Sequence, residues 1–518
     1  MTIRDIVRVF SVFMLILLVF PSVGHTRTLS AFAGAEGAGA LSSGGRGGRI
    51  IEVTNLNDSG PGSLRAAIDA EGPRIVIFRV GGIINLESRL TIRNPYITLA
   101  GHTAPGGGIL INGKEAEGAS LVINSHDVIV RYLRIRNGAG GGTEEDDAIG
   151  ITAGYNIIVD HCSVSWSTDE NFSTWAWKHE KWGEPKDITW SYNLVAEGIL
   201  DHSKAMLTGA STGPEADEMT NIDIHHNLFV HHYDRNPFMK HKSGRIVNNI
   251  AYNWAGYGLT TNGGVHFDII GNLFKAGPDY DAGNSVLVVA LLEARDASTF
   301  DPDNCPENCP HLYVKGNVTP AHSDTTLDHW GVLSASWNSQ TEVTLDYKRD
   351  EPLSGQIFPI SASEVSELEE KLLPVVGASH RLNEKGELVE NRDAVDLRVI
   401  DDYINETGSV IRNENEVGGL PEIAAGTPYP DADHDGMSDT WERMVGLDPT
   451  NSNDGNLDRN LDGISNIEEF LDGNIPRSIV RGTGSVSYFT LMIGFLISIV
   501  CRFTRCRSAY PAHRSMTF

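Results

Sequence analysis

Basic residues are short in this 518-residue chain: 41 lysines and arginines face 68 acids, so the net charge is 41 − 68 = −27. That balance argues against general nucleic-acid binding, which needs a basic surface for phosphates, and we expect no such partner. Cysteine is also scarce, with 5 in the whole chain. Cys305 and Cys309 form a Cys-Pro-Glu-Asn-Cys loop that an oxidising compartment could staple, whereas Cys162 lies in an apolar run and reads as a packed thiol. No metal–thiolate spacing is present. Low-complexity segments are absent as well, although 54 glycines supply many turns.

Long uncharged stretches stand at the two ends. Arg4 and Arg8 precede an apolar run from Val9 to Phe20, then Pro21, Ser22 and Gly24. This is the layout of a secretory signal peptide over residues 1–24. Gly482 to Cys501 carries no charge and is followed by Arg502, Arg505 and Arg507. A segment over 482–507 of this kind is long enough to span a bilayer with its basic flank inside, or to serve as a sorting signal. We therefore expect export, to a secreted, cell-surface or periplasmic location, with anchoring through the tail.

Residues 28–340 read as short β-type runs separated by turns. YITLAGHT from Tyr96, VIVRYLRI from Val128, IIVDHCSV from Ile157 and ITWSYNLV from Ile188 align with IDIHHNLF from Ile222, RIVNNIAY from Arg245, FDIIGNLF from Phe267 and LYVKGNVT from Leu312. Four of them carry an asparagine at one internal place: Asn193, Asn227, Asn249 and Asn272. Short strands repeating at this period, without helical apolar spacing, predict an all-β solenoid, a right-handed parallel β-helix. The aligned asparagines should form a ladder. Residues 341–428 change character: the run from Ser361 to Leu373 predicts a capped amphipathic helix in a segment packed against the solenoid. His225-His226 and His231-His232 read as packed or ladder-forming rings rather than a zinc site, because adjacent strand residues face opposite ways.

Residues 429–473 hold two loops of one pattern. Asp431, Asp433, Asp435, Asp439 and Glu442 place oxygen ligands around Gly436, and Asp458, Asn460, Asp462, Asn466 and Glu469 repeat them around Gly463. Calcium requires several hard oxygens, and the glycine permits the sharp turn that gathers them, so paired EF-hand-like calcium loops are expected. A rigid calcium-loaded spacer and an attachment module both fit that expectation.

The solenoid has its own charge geography. Gly138 to Trp177 contains no Lys or Arg but includes Asp147, Asp160, Asp169 and Glu170, whereas Arg235 to Val265 contains Arg235, Lys240, Lys242 and Arg245 and no acid. Stacked coils would bring an acidic cluster beside a cationic stripe.

The run HHNLFVHHYDRNPFMKHKSGRIVNNIAYNW from His225 resembles the characteristic region of pectate lyases of the parallel β-helix class. Its Arg-x-Pro-x-x-Arg core stands here as Arg235-Asn-Pro237-Phe-Met-Lys240, and IIVDHCSVSWSTDE, Asp147-Ala-Ile, Asp169 and Lys204 fall in the family's order. The resemblance covers roughly residues 30 to 425. It implies calcium-dependent β-elimination of polygalacturonate: loss of the C5 proton, departure of the C4 glycosidic oxygen, and an unsaturated product. It further implies Asp147 and Asp169 as Ca2+ ligands, Arg235 as the base, and Lys204 and Lys240 as substrate-carboxylate partners; Glu170 is the candidate ligand that compensates for the missing acid at Ser173, and a monomer is expected. An arginine base is demanding, because a guanidinium is ordinarily always protonated; crowding by Lys204, Lys240 and calcium would favour its neutral form. Two departures matter: Ser173 stands where the family often has an acid, and Lys240 keeps charge but gives up bidentate recognition.

A non-catalytic pectin-binding adhesin and a β-helix hydrolase are the alternatives, the latter needing an acid and a base carboxylate. The acidity does not exclude a polyanionic substrate. Residues 340–430 carry 8 − 19 = −11 and residues 431–472 carry 2 − 12 = −10, so most of the −27 lies outside the solenoid.

Overall fold

The computed structural model describes residues 27–139, 147–177, 181–210, 218–262, 265–282, 287–290, 310–323, 333–335, 348–355, 357–473, 475, 477 and 479–481. The segments expected to act as signal peptide and tail, and Cys305 and Cys309, lie outside them. One compact unit spans Leu29–Ser478 and holds everything described below; Arg27, Thr28 and the strand Ile479–Arg481 belong to a second.

Eight successive coils, from Arg74–Phe78 to Leu287–Ala290, each contribute one strand to each of three sheets. Val128–Arg131, Arg134–Arg136 and Ile149–Ala153 lie in the ten-, eight- and nine-stranded sheets, and Tyr155–Asp160, Ser163–Ser165 and Glu170–Trp175 repeat the order one coil on. Successive strands within each of these sheets pair in parallel. This is the expected parallel β-helix, with right-handed crossovers as parallel strands demand. Side chains such as Ile123, Val130, Ile157, Phe172, Trp190 and Ile224 fill the interior and are fully buried.

A single residue in the left-handed region turns the chain between the ten- and eight-stranded sheets. Tyr132, His161, Tyr192, His226 and Asn248 occupy this corner at φ 51–56°, and Gly271 and Gly316 follow them at 61° and 67°. Three ring pairs stack there: Tyr132 on His161, His161 on Tyr192, and Tyr192 on His226, with centroids 4.8–4.9 Å apart. The next residue of each corner forms the ladder. Asn193 Nδ2 donates to Asn227 Oδ1, Asn227 to Asn249, Asn249 to Asn272 and Asn272 to Asn317, at 2.9–3.0 Å. Cys162 takes the same place at the ladder's start; its amide donates to Asn193, and burial pushes its thiol up to about 12.

Two of the three outer faces are covered. The helices Val365–Leu372 and Ala394–Asn405 pack Leu368, Leu372, Val395, Val399 and Tyr403 onto Leu194, Leu228 and Ile250 of the eight-stranded sheet. The first helix begins at Val365, later than the expected start, because Ser361 instead donates to the Glu36 carboxylate. Buried Arg136 pairs with Asp396 at 2.6 Å and with Asp393 at 3.3 Å, fastening this segment to the solenoid. The C-terminal loops lead into the short helices Asp439–Val445 and Asn466–Leu471, which set Met437, Trp441, Ile467 and Phe470 against Ile75, Ile77 and Ala100 of the ten-stranded sheet. No helix among the described residues is long and apolar enough to cross a membrane.

Candidate active site

The nine-stranded sheet keeps an open outer face. Thr91, Val122, Gly150, Thr152, Ser173, Trp175 and Leu207, from successive strands, floor a cleft of about 960 Å³. Parallel strands put residues of neighbouring coils level, so the sheet's entry edge becomes a row of charges. Ile149 pairs with Phe172, which sets Asp147 level with Glu170 two residues earlier on each strand. The Glu170 amide donates to Asp147 Oδ1 at 3.2 Å. Glu170 is in register with Lys204, and Lys204 bridges to Asp234. Asp169 and Arg235 stand one residue away from the row.

The side chains close this row into one network. The Arg235 guanidinium pairs with Glu170, and Lys204 Nζ lies 2.8 Å from Asp234 Oδ1. Ser173 donates to Asp147 Oδ2, so the residue in place of the family's acid is tied to a candidate ligand. His202 Nε2 sits 3.0 Å from Asp169 Oδ1. Burial, then the charge of Asp147, hold the Glu170 carboxyl well above the usual range against the pull of Arg235. Burial also acts to raise Asp169, but His202, Glu170 and Arg235 together outweigh it and hold its carboxyl below the usual range.

The donor set suits a hard cation. Asp169, Glu170 and His202 bring one ligand atom each within 4.8 Å of one another. Carboxylate oxygens are calcium donors and an imidazole nitrogen is not, so calcium would rest on Asp169 and Glu170 with Asp147 beside them. Lys240 lies among aromatic rings beside the cleft. Its ammonium lies 5.9 Å from the Trp175 ring and 5.6 Å from the Phe238 ring, and Arg235 lies 5.8 Å from the same Phe238 ring. Lys204 is turned to Asp234, and Arg235 to Glu170.

His202 and Asp234 are members that sequence reasoning missed, as are Trp175 and Trp177 at the cleft wall. His202 and Asp234 precede Lys204 and Arg235 by two residues and one, but only the register between coils shows that they reach acids and cations of other coils.

The two C-terminal loops are unequal. Asp431, Asp433 and Asp435 converge within 4.8 Å, with Glu442 beside Asp435. Asp439 has both oxygens engaged, by the Ala432 amide at 2.8 Å and by Arg443 at 3.1 Å, so it shapes the loop rather than facing its centre. In the second loop Arg459 and Asn460 each hold Glu469 at 2.6 Å. Asp458 accepts the Gly463 amide at 2.7 Å, Asp462 accepts the Ile464 amide at 2.9 Å, and Asn466 donates to the Asp454 carbonyl at 2.8 Å.

A family model described as pectate lyase matches residues 97–310. A protein described as probable pectate lyase C from Emericella nidulans is 35% identical over 465 residues, covering 89% of this chain and 96% of the relative. Its counterpart in Aspergillus flavus is 34% identical over 464 residues, covering 88% and 96%. Among solved structures, jun a 1, the major allergen from cedar pollen, matches at 18% identity and a TM-score of 0.47, covering 66% of this chain and 92% of its own.

Proposed function

Because this chain belongs to the pectate lyase family and is a polysaccharide lyase, we propose that it cleaves polygalacturonate by calcium-dependent β-elimination, giving unsaturated oligogalacturonides. The observation that carries this reading is the row Asp147, Glu170, Lys204 and Asp234, with Arg235 beside it, on the solenoid face that no flanking segment among the described residues covers. The chemical difficulty is a carbanion formed beside a carboxylate. Calcium held by Asp147, Asp169 and Glu170 supplies charge neutralisation at that carboxylate when bound.

The chain's own groups have separable tasks. Arg235 is the base for the C5 proton. In the structure it pairs with Glu170. Release of that pair frees the guanidinium to face the substrate, so Glu170 holds the base in place as well as offering a ligand. Lys204 exchanges Asp234 for a uronate carboxylate, and Lys240 takes a further carboxylate along the cleft. Trp177, exposed at 66%, and Trp175 offer ring faces to the sugars. His202 orients Asp169.

The same reading includes export through residues 1–24, retention or processing through residues 482–507, and calcium on the loop Asp431–Glu442. Incubation with polygalacturonate tests it. Ultraviolet absorbance from a conjugated product that rises with calcium and disappears with chelator is expected. New reducing ends without that absorbance would point to hydrolysis, and binding without either to a silent adhesin.

A further inference from the structure

The loop after Pro430 is built around more charge than one cation can balance. Asp431 spends Oδ2 on the Gly436 amide and Asp435 spends Oδ1 on the Met437 amide. That closes the turn, in which Gly436 holds φ 92°. The remaining oxygens point inward without hydrogen-bond partners: Asp431 Oδ1, both of Asp433, Asp435 Oδ2 and both of Glu442. Asp454 joins them from the segment between the two loops, with its own buried Oδ1 lacking a partner. Glu442 is 0% exposed, so a fully buried carboxylate has no donor on either oxygen. Such a group is very costly without a bound cation.

The acids fall into two triplets that share a member. Asp431, Asp433 and Asp435 form one, and Asp435, Glu442 and Asp454 the other, each with ligand atoms within 4.8 Å of one another. We infer that this is a two-cation site, with Asp435 bridging two calcium ions and Asp454 a ligand recruited from outside the loop. The inference deepens the reading of Asp431–Glu442 as a calcium loop and rests on it. Charge supports the count. The five acids and Glu52 sum to −6, and Arg79, at 3.5 Å from Glu52 and 3.9 Å from Asp431, returns +1. One divalent cation would leave −6 + 1 + 2 = −3, and two leave −1. An all-oxygen donor set suits hard divalent cations, calcium among them.

The second loop supports the site rather than duplicating it. Its Glu469 is held by Arg459 and Asn460, and its Asn466 anchors the Asp454 backbone. Met437 and Trp441, carried by the first loop and its helix, pack on Ile75 and Ile77 in the first coils. The paired cations thus rigidify a cap over the start of the solenoid, where a stacked array needs one.

Calcium equivalents bound by the full chain, with the calcium-dependent rise in Tm, test this in Asp433→Asn, Asp454→Asn and Asp435→Asn. Asp433→Asn and Asp454→Asn are each expected to lose one equivalent, and Asp435→Asn two, with a smaller calcium-dependent Tm rise in every case. The cleft calcium is common to all variants and cancels in the difference. If Asp454→Asn keeps the wild-type count, the two-cation site is overturned while the single-cation loop stands. If none of the three loses an equivalent, both fall. Should Asp435→Asn fail to fold, the Asp433→Asn/Asp454→Asn double variant decides, with two equivalents lost supporting the site and one overturning it.

Discussion

Asn227 sits in the middle of the asparagine ladder, and its replacement by alanine tests how the coils are held together. Its Nδ2 donates to the Trp190 and His225 carbonyls and to Asn249 Oδ1, at 2.9, 3.1 and 2.9 Å. Its Oδ1 accepts from the Asn193 amide at 3.0 Å and from Asn193 Nδ2 at 2.9 Å. All of these groups are buried, so no water replaces the lost partner. Asn227→Ala leaves two Asn193 donors without an acceptor. At ~1–3 kcal/mol for each stranded donor, those two alone give a loss of about 2–6 kcal/mol. Asn85→Ala is the control: Asn85 accepts from Asn112 at 2.8 Å at an exposed position, and its loss should stay within ~0.5 kcal/mol. Urea unfolding followed by far-ultraviolet circular dichroism reads both. If Asn227→Ala stays within ~1 kcal/mol of wild type, the ladder is decoration and the reasoning fails.

Asp396→Ala should destabilise by about 3 kcal/mol, because it strips the nearest carboxylate from the fully buried Arg136 and an acceptor from Ser163, as urea midpoints would reveal. Burial pulls the His102, His232 and His241 rings down to about 3. Their unfolded values near 6.5 are higher, so the unfolded chain takes protons first and stability falls as pH drops from ~6.5 toward 3, by ~2 kcal/mol per ring at pH 5. His241→Gln should flatten that acid limb by one proton in a Tm–pH series, and an unchanged slope would contradict the burial argument. Lys204→Ala should raise KM about tenfold with kcat little changed, as expected of a group that binds a substrate carboxylate equally in ground and transition states; a collapse of kcat instead would make it part of the chemistry.

The solenoid was legible because its strands repeat and one corner residue repeats with them. Asn193, Asn227, Asn249 and Asn272 align in the sequence for the same reason that they bond in the fold. Asn317 extends the ladder from a run that also aligns, so its place was available to the same reading. The active-site row was only half legible. Asp147, Asp169, Lys204 and Arg235 follow from motif order and Glu170 from its place beside Asp169, but their partners depend on register across coils. Sequence spacing does not show that Arg235 meets Glu170 or that Lys204 turns to Asp234. The two C-terminal loops illustrate a different blind spot. Counting ligands by position made the two loops equivalent, because Arg459 occupies a place the pattern ignores and Asp454 lies outside both repeats. The fold makes those two residues decisive, one by neutralising Glu469 and the other by completing a cluster with Glu442.

The most direct test of the central claim pairs catalysis with binding in Arg235→Ala, using polygalacturonate with calcium present. If Arg235 takes the C5 proton at the uncovered face, the variant forms no ultraviolet-absorbing unsaturated product, yet still binds oligogalacturonate with a Kd within a few-fold of wild type. Retained turnover would contradict the account.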